Sequence, residues 1–182
     1  DYILFNHNSL NRIFVNIGGI SNITYLKKSC SQNDVIAFDT GPGNMLMDYL
    51  MKKFYNKKYD KDGSTASKGK VSKELFKQIS LKDKFYKKNP PTSTGREYYS
   101  GEVTENILKN YKKLKPEDVV ATFTKYTAYT IYYNSRKFKN TDELIISGGG
   151  AKNHTLVKYI KEYFKDTKVK EMDENGINPD NK

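Results

Sequence analysis

Three glycine-rich turns, each leaving a short apolar run, constrain the fold of this chain more than any other feature. Residues 12–16 lead into Ile17-Gly18-Gly19-Ile20, residues 35–38 lead through Asp39 and Thr40 into Gly41-Pro42-Gly43, and residues 143–147 lead into Gly148-Gly149-Gly150-Ala151. Short apolar and β-branched runs bounded by glycine read as buried strands. A glycine turn lets a ligand approach the backbone closely. In an open α/β sheet, ligands bind beyond the carboxyl ends of the strands. The pattern predicts an α/β chain whose site is built from turns.

The first glycine pair sits between residues 12–16 and 22–26, where polar and apolar residues alternate. That spacing predicts a β-hairpin. A polar stretch separates it from a third strand ending at Asp39. Strands 12–16, 22–26 and 35–39 then form a meander, with Gly18-Gly19 and Asp39 at one edge. Residues 40–43 turn sharply, Asn44 stands as an N-cap, and Met45, Leu46, Tyr49, Leu50 and Phe54 recur with helical spacing. Asp39 has two readings on this pattern: a carboxylate beside a ligand loop, or one that only caps a helix.

Further along, residues 60–63 (DKDG) begin like a calcium loop but lack its later acidic ligand, and read as a turn. Residues 71–79 form a short amphipathic helix, and Phe85 and Tyr86 anchor a charged linker. Pro90-Pro91-Thr92-Ser93-Thr94-Gly95-Arg96-Glu97 is a rigid, hydroxyl-rich loop. It suits a polyhydroxylated or anionic substrate, or else Thr94 caps the helix of residues 98–111 and Arg96 pairs with Glu97. Pro116, Glu117 and Asp118 start a helix that runs to about residue 138. Its stripe, which includes Phe123, Tyr126, Thr127, Thr130, Ile131 and Asn134, reads as core. Gly148 to Gly150, Lys152, Asn153 and a helix over 154–164 suit a nucleotide, although they match neither G-x-G-x-x-G nor a Walker loop. His154 reads as a helix-start residue. Residues 168–171 add a strand before Asp173 and Glu174, which meet a sugar hydroxyl or cap a turn.

Composition narrows the function. The 182 residues carry a net charge of +11, nearly all from scattered lysines, with Arg12, Arg96 and Arg136 the arginines. Scattered lysines describe a solvated surface rather than a nucleic-acid reader, which favours arginine. One cysteine, Cys30, excludes an internal disulfide and a cysteine zinc site, and fits a reducing compartment. No apolar run is long enough for a membrane helix.

The segments NIGGISNITYL at 16–26, FDTGPGNMLMD at 38–48, STGRE at 93–97, ISGGGAKN at 146–153 and DENGINPD at 173–180 together resemble the anhydro-N-acetylmuramic acid kinase family. DKDG at 60–63 and EDVVATFTKYTA at 117–128 resemble it too, so the likeness covers essentially the whole chain. The resemblance implies a ribonuclease-H-like lobe of the actin-like ATPase superfamily, with a mixed β-sheet and flanking helices. It implies opening of a 1,6-anhydro sugar with phosphorylation of its 6-oxygen, using ATP and magnesium, in the cytoplasm of a bacterium. It also implies a homodimer of the full-length protein.

By the same resemblance Asp39 is the general base, and Asn16, Gly18 and Gly19 form a phosphate turn. Gly148, Gly149, Gly150, Ala151 and Asn153 hold the nucleotide. Gly41, Pro42, Gly43 and Asn44 shape the sugar pocket, and Arg96 and Glu174 contact substrate. The family's first phosphate segment and a terminal helix after NPD are missing from these residues, so residues 1–182 are expected to be the second lobe, with little or no kinase activity alone. No metal ligand is assigned, because magnesium leans on the missing segment. A non-catalytic nucleotide-binding module would keep the glycine turns without needing Asp39, and a basic nucleic-acid-binding domain would show steeply salt-dependent binding.

Overall fold

The computed structural model describes residues 5–95 and 97–172. Strands β1 (Arg12–Ile17) and β2 (Ile20–Leu26) form the expected hairpin across Gly18-Gly19. Strand β3 (Ile36–Pro42) continues antiparallel to β2. Strands β4 (Glu143–Ser147) and β5 (Lys168–Glu171) extend the sheet in parallel beyond β1. The order β3-β2-β1-β4-β5 contains the meander read from the sequence and gives the mixed, ribonuclease-H-like sheet.

Helices α1 (Met45–Tyr55), α2 (Lys73–Lys82), α3 (Gly101–Leu108), α4 (Pro116–Ser135) and α5 (His154–Tyr163) flank it. No helix among the described residues is long and apolar enough to cross a membrane. Strand alternation sorts the sheet into two faces. Ile13, Val15, Ile17, Ile23, Leu144 and Ile146 point to one face, where buried residues of all five helices complete the main core. Phe14, Leu26 and Ile145 point to the other and join Phe5 and Cys30 in a smaller cluster. Beside that cluster the buried carboxylate of Glu143 is held between Arg12 and Lys170, each at 2.9 Å, which ties β1, β4 and β5 together.

Helix α4 is the keel. Pro116 occupies its first turn with Glu117 and Asp118, and Phe123, Tyr126 and Ile131 are fully buried, as the stripe required. Its polar members brace the segment after Asp39. The Thr127 hydroxyl donates to the Gly43 carbonyl at 3.1 Å, and the Asn134 amide donates to the Thr40 carbonyl at 3.0 Å and the Tyr86 carbonyl at 3.1 Å. Thr130 packs so closely on Gly41 that a Cβ there would lie 2.8 Å from its hydroxyl.

Four local expectations need correction. Residues 35–38 are not a buried strand: β3 is an edge strand, with Ile36 43% exposed and Ala37 exposed. The strand does not end at Asp39 but runs to Pro42, because Thr40 is accommodated as a bulge: Ser21 pairs with Gly41 and Asn22 with Asp39. An edge tolerates both the proline and the bulge. Asn44 occupies the N-cap position of α1 but caps nothing with its side chain. Thr94 likewise caps no helix, since α3 starts only at Gly101 behind Ser100.

Candidate functional site

The three turns converge at one end of the sheet. The Gly19 carbonyl accepts from the Gly43 N–H at 2.9 Å and from Met45 at 3.2 Å, and the Gly18 carbonyl accepts from Asn44 at 2.8 Å. The first turn of α1 is thereby tied to the β1–β2 hairpin. There is no room between them: a Cβ on Gly43 would stand 2.2 Å from the Gly18 oxygen. The Asn44 side chain makes the third link. Its amide donates to the Ile17 carbonyl at 3.3 Å, and a Cβ on Gly150 would stand 3.2 Å from its oxygen. Gly148, with φ +79°, turns the chain away from β4 where a Cβ would meet Asn16 Oδ1 at 2.5 Å.

Beyond Gly148 the chain makes a tight 3-10 turn over Gly149–Lys152 before α5. Asn153 caps α5, its side-chain oxygen accepting from the Leu156 N–H at 2.9 Å. His154 is the first residue of α5, as read. Gly18, Gly19, Gly148 and Gly149 remain accessible, whereas Gly41, Pro42 and Gly43 are buried and support the site from behind.

Asp39 stands in a lateral row. The register sets it opposite Asn22, Asn22 opposite Asn16, and Asn16 opposite Ser147. Directly opposed residues share a face, so four polar, half-buried side chains cross β3, β2, β1 and β4 on the face away from the helices. The segment after Pro91 docks on the β3 edge here. The Asp39 N–H donates to the Thr92 carbonyl at 2.9 Å, the Thr92 hydroxyl donates to the Asp39 carbonyl at 3.1 Å, and the Thr94 N–H donates to Asp39 Oδ2 at 2.8 Å. One carboxylate oxygen is thus held, and the other accepts no hydrogen bond from the described residues.

This docking segment has its own anchor. The Tyr99 hydroxyl donates to the buried Asp83 carboxylate at 2.9 Å, and Tyr126 of α4 donates to the same oxygen at 2.7 Å. Burial, then the adjacent Asp83 charge, raise the Tyr99 phenol far above its ordinary value, so it stays a donor. Arg96 and Glu174, the two substrate contacts expected from the resemblance, lie outside the described residues.

The turns also border a feature that the sequence reading missed. A cleft of about 420 Å³ opens between α1, the Gly149–Asn153 turn and residues 59–62. Residues 60–63 are a turn as expected, but a placed one. The Asp60 carboxylate accepts from the Thr65 and Ala66 N–H groups at 2.8 and 3.0 Å, and the Thr155 hydroxyl of α5 donates to the Gly63 carbonyl at 2.8 Å. Asp48, one turn into α1, faces this cleft, and burial pushes its carboxyl up to about 6. The signal available in the sequence was the four-residue spacing of Asn44 and Asp48, which puts both on one helix face.

Comparison with known proteins fits this geometry. The model of the family described as anhydro-N-acetylmuramic acid kinase matches residues 1–182. The chain belongs to the anhydro-N-acetylmuramic acid kinase family. Relatives bearing that name include one from Clostridioides difficile, 44% identical over 186 residues, and one from Caldanaerobacter subterraneus, 41% identical over 190 residues. Both alignments cover 100% of this chain but 48% of the relative, so the chain spans about half the length of these kinases.

Among solved structures, an activator of 2-hydroxyisocaproyl-CoA dehydratase from Clostridium difficile with bound ADPNP superposes with a TM-score of 0.54 at 17% identity, over 89% of this chain and 54% of that one. Component A of the Acidaminococcus fermentans (R)-2-hydroxyglutaryl-CoA dehydratase gives 0.54 at 14% identity, over 93% of this chain and 57% of that one. At such identities the likeness concerns the fold, and it agrees with the mixed sheet and its flanking helices.

Proposed function

We propose that this chain is the second lobe of an ATP-dependent kinase that opens 1,6-anhydro-N-acetylmuramic acid hydrolytically and phosphorylates its 6-oxygen. N-acetylmuramic acid 6-phosphate would be the product, in cell-wall recycling. The observation that carries this reading is the placement of Asp39 in one row with Asn16, at the sheet end where three glycine turns meet.

In this reading Asp39 takes a proton from water as the water oxygen bonds to the anomeric carbon. The bond from that carbon to the 6-oxygen breaks, and the 6-oxygen displaces ADP from the γ-phosphorus. A general base must reach the water with a free oxygen. The Thr94 N–H on Oδ2 leaves the other Asp39 oxygen for this role and fixes its direction. Positive or donor groups stabilise the charge that develops on the leaving oxygen. The Asn16–Gly19 turn is assigned to phosphate, the Gly148–Ala151 turn and Asn153 to the nucleotide, and Asn44 with Arg96 and Glu174 to the sugar, in a pocket whose shape the buried residues 41–43 set from behind. ATP is normally carried with magnesium, which binds chiefly through phosphates and few carboxylates. The described residues hold no group of three His, Cys, Asp or Glu side chains suited to a metal, and no step is assigned to one.

The test is Asp39→Asn in the two-lobe enzyme. Turnover falls by about a thousandfold or more, in the range of a lost general base and a misplaced water, while nucleotide affinity stays within about twofold. Retained turnover would leave a nucleotide-binding module without this chemistry.

A further inference from the structure

The cleft beside Gly149 contains a carboxylate that the reaction at Asp39 does not use. Asp48 lies in the first turn of α1, four residues from Asn44, whose amide reaches the Ile17 carbonyl next to the hairpin turn. The helix start favours an ionised side chain there. Desolvation outweighs it and pushes the carboxyl up to about 6. A carboxylate held at that cost on the wall of a cleft invites a ligand donor.

Other polar groups line the cleft as well, among them Asn44, Tyr59 and Lys152. Asp60 accepts from the Thr65 and Ala66 N–H groups, one on each oxygen, and the Asn153 side-chain oxygen accepts from Leu156 in capping α5. Lys61 and Asp62 are exposed on the opposite rim. The Gly149 backbone forms the near wall, and a side chain there would reach toward Asn44. The volume of about 420 Å³ accommodates a nucleoside.

We infer that Asp48 accepts a hydrogen bond from the nucleoside part of the nucleotide, and so sets which nucleotides this site takes. The inference rests on the assignment of the Gly148–Ala151 turn to the nucleotide. The shared chemistry is a donor meeting a carboxylate: either a ribose hydroxyl or the exocyclic amine of adenine supplies it.

Calorimetric titration of the two-lobe enzyme with ADP tests this. Asp48→Ala weakens ADP binding by about tenfold or more, the factor expected for a lost charged hydrogen bond, and Asp48→Asn gives an intermediate loss. Removing an unpaired, desolvated carboxyl does not threaten the fold, and circular dichroism of both variants verifies it. Dideoxy-ADP lacks the ribose donors, and purine riboside diphosphate lacks the amine. The wild-type enzyme binds one of them about tenfold more weakly than ADP, whereas the alanine variant does not distinguish that analogue from ADP. Equal ADP affinity in wild type and Asp48→Ala, or equal binding of all three ligands by wild type, overturns the inference alone. No ADP binding at millimolar concentration overturns the assignment of the turn and the inference with it.

Discussion

At the scale of single residues, Asp48 separates two demands on the chain. Its carboxyl titrates at 3.8 in the open chain and at about 6 in the fold, because burial disfavours its charge. Below the lower value both states are protonated and Asp48 has no effect. As pH rises from 3.8 toward 6 the unfolded chain ionises first, so stability falls, and above 6 the loss is complete. The shift is worth about 3 kcal/mol before screening, and about 1 kcal/mol once the solvent on its open side is allowed for. Asp48→Asn is therefore expected to raise the melting temperature by about 2–4 °C near neutral pH. Calorimetry should show the gain vanish in acid, and no gain at neutral pH would contradict the assignment. The sequence spacing sets Asp48 on one helix face with Asn44 but does not reveal the cleft it faces. An acidic residue in a first helical turn reads as a partner of the helix dipole, and only the return of residues 59–62 across α1 makes it a cleft residue. Asp39 was legible because its company, glycine turns before and after it, is local in the sequence.

At the scale of elements, β3 and α4 show what local patterns do and do not carry. The run Val35-Ile36-Ala37-Phe38 is apolar enough to read as buried, yet no described strand pairs beyond it and Ile36 is 43% exposed. Burial of a strand depends on neighbours that its own residues do not name. The α4 stripe was legible as core through its periodicity. That its threonines and Asn134 also hold the Thr40–Gly43 backbone was not, because these bonds span 84 and 94 residues.

Glu143 at the start of β4 shows the same dependence on distance. Burial pushes its carboxyl up, but Lys170 and Arg12 more than offset that and hold it below the usual value of 4.5. Its contribution to stability is present above that value and is lost as pH falls through the depressed one. Glu143→Gln leaves two cations buried without their shared carboxylate. A loss of about 3–5 kcal/mol is expected in urea unfolding near neutral pH, shrinking as the wild type is acidified below about pH 4.

At the scale of the whole molecule, the meander of β1 to β3, with the Gly18-Gly19 turn and Asp39 at one edge, was legible in the residues, whereas the ribonuclease-H-like fold was implied by the family resemblance and the pairing of β4 with β1 was not written along the chain. The cleft was not legible either, since it closes between residues 48, 61 and 149. The net charge of +11 is distributed over the surface and leaves the site to a few groups. The hydrogen bonds from Gly43, Asn44 and Met45 to the Gly18 and Gly19 carbonyls have a consequence for motion. Amides at the start of a helix ordinarily lack partners and exchange with solvent quickly. Here these three should exchange as slowly as the β1–β2 ladder, measured by deuterium uptake. Rapid uptake at Asn44 alone would mean that hairpin and helix part while each stays folded. Slow uptake at all three would make the glycine end of the sheet one rigid block, so any closure around a ligand would have to come from the movement of whole bodies, with the turns carried along unchanged.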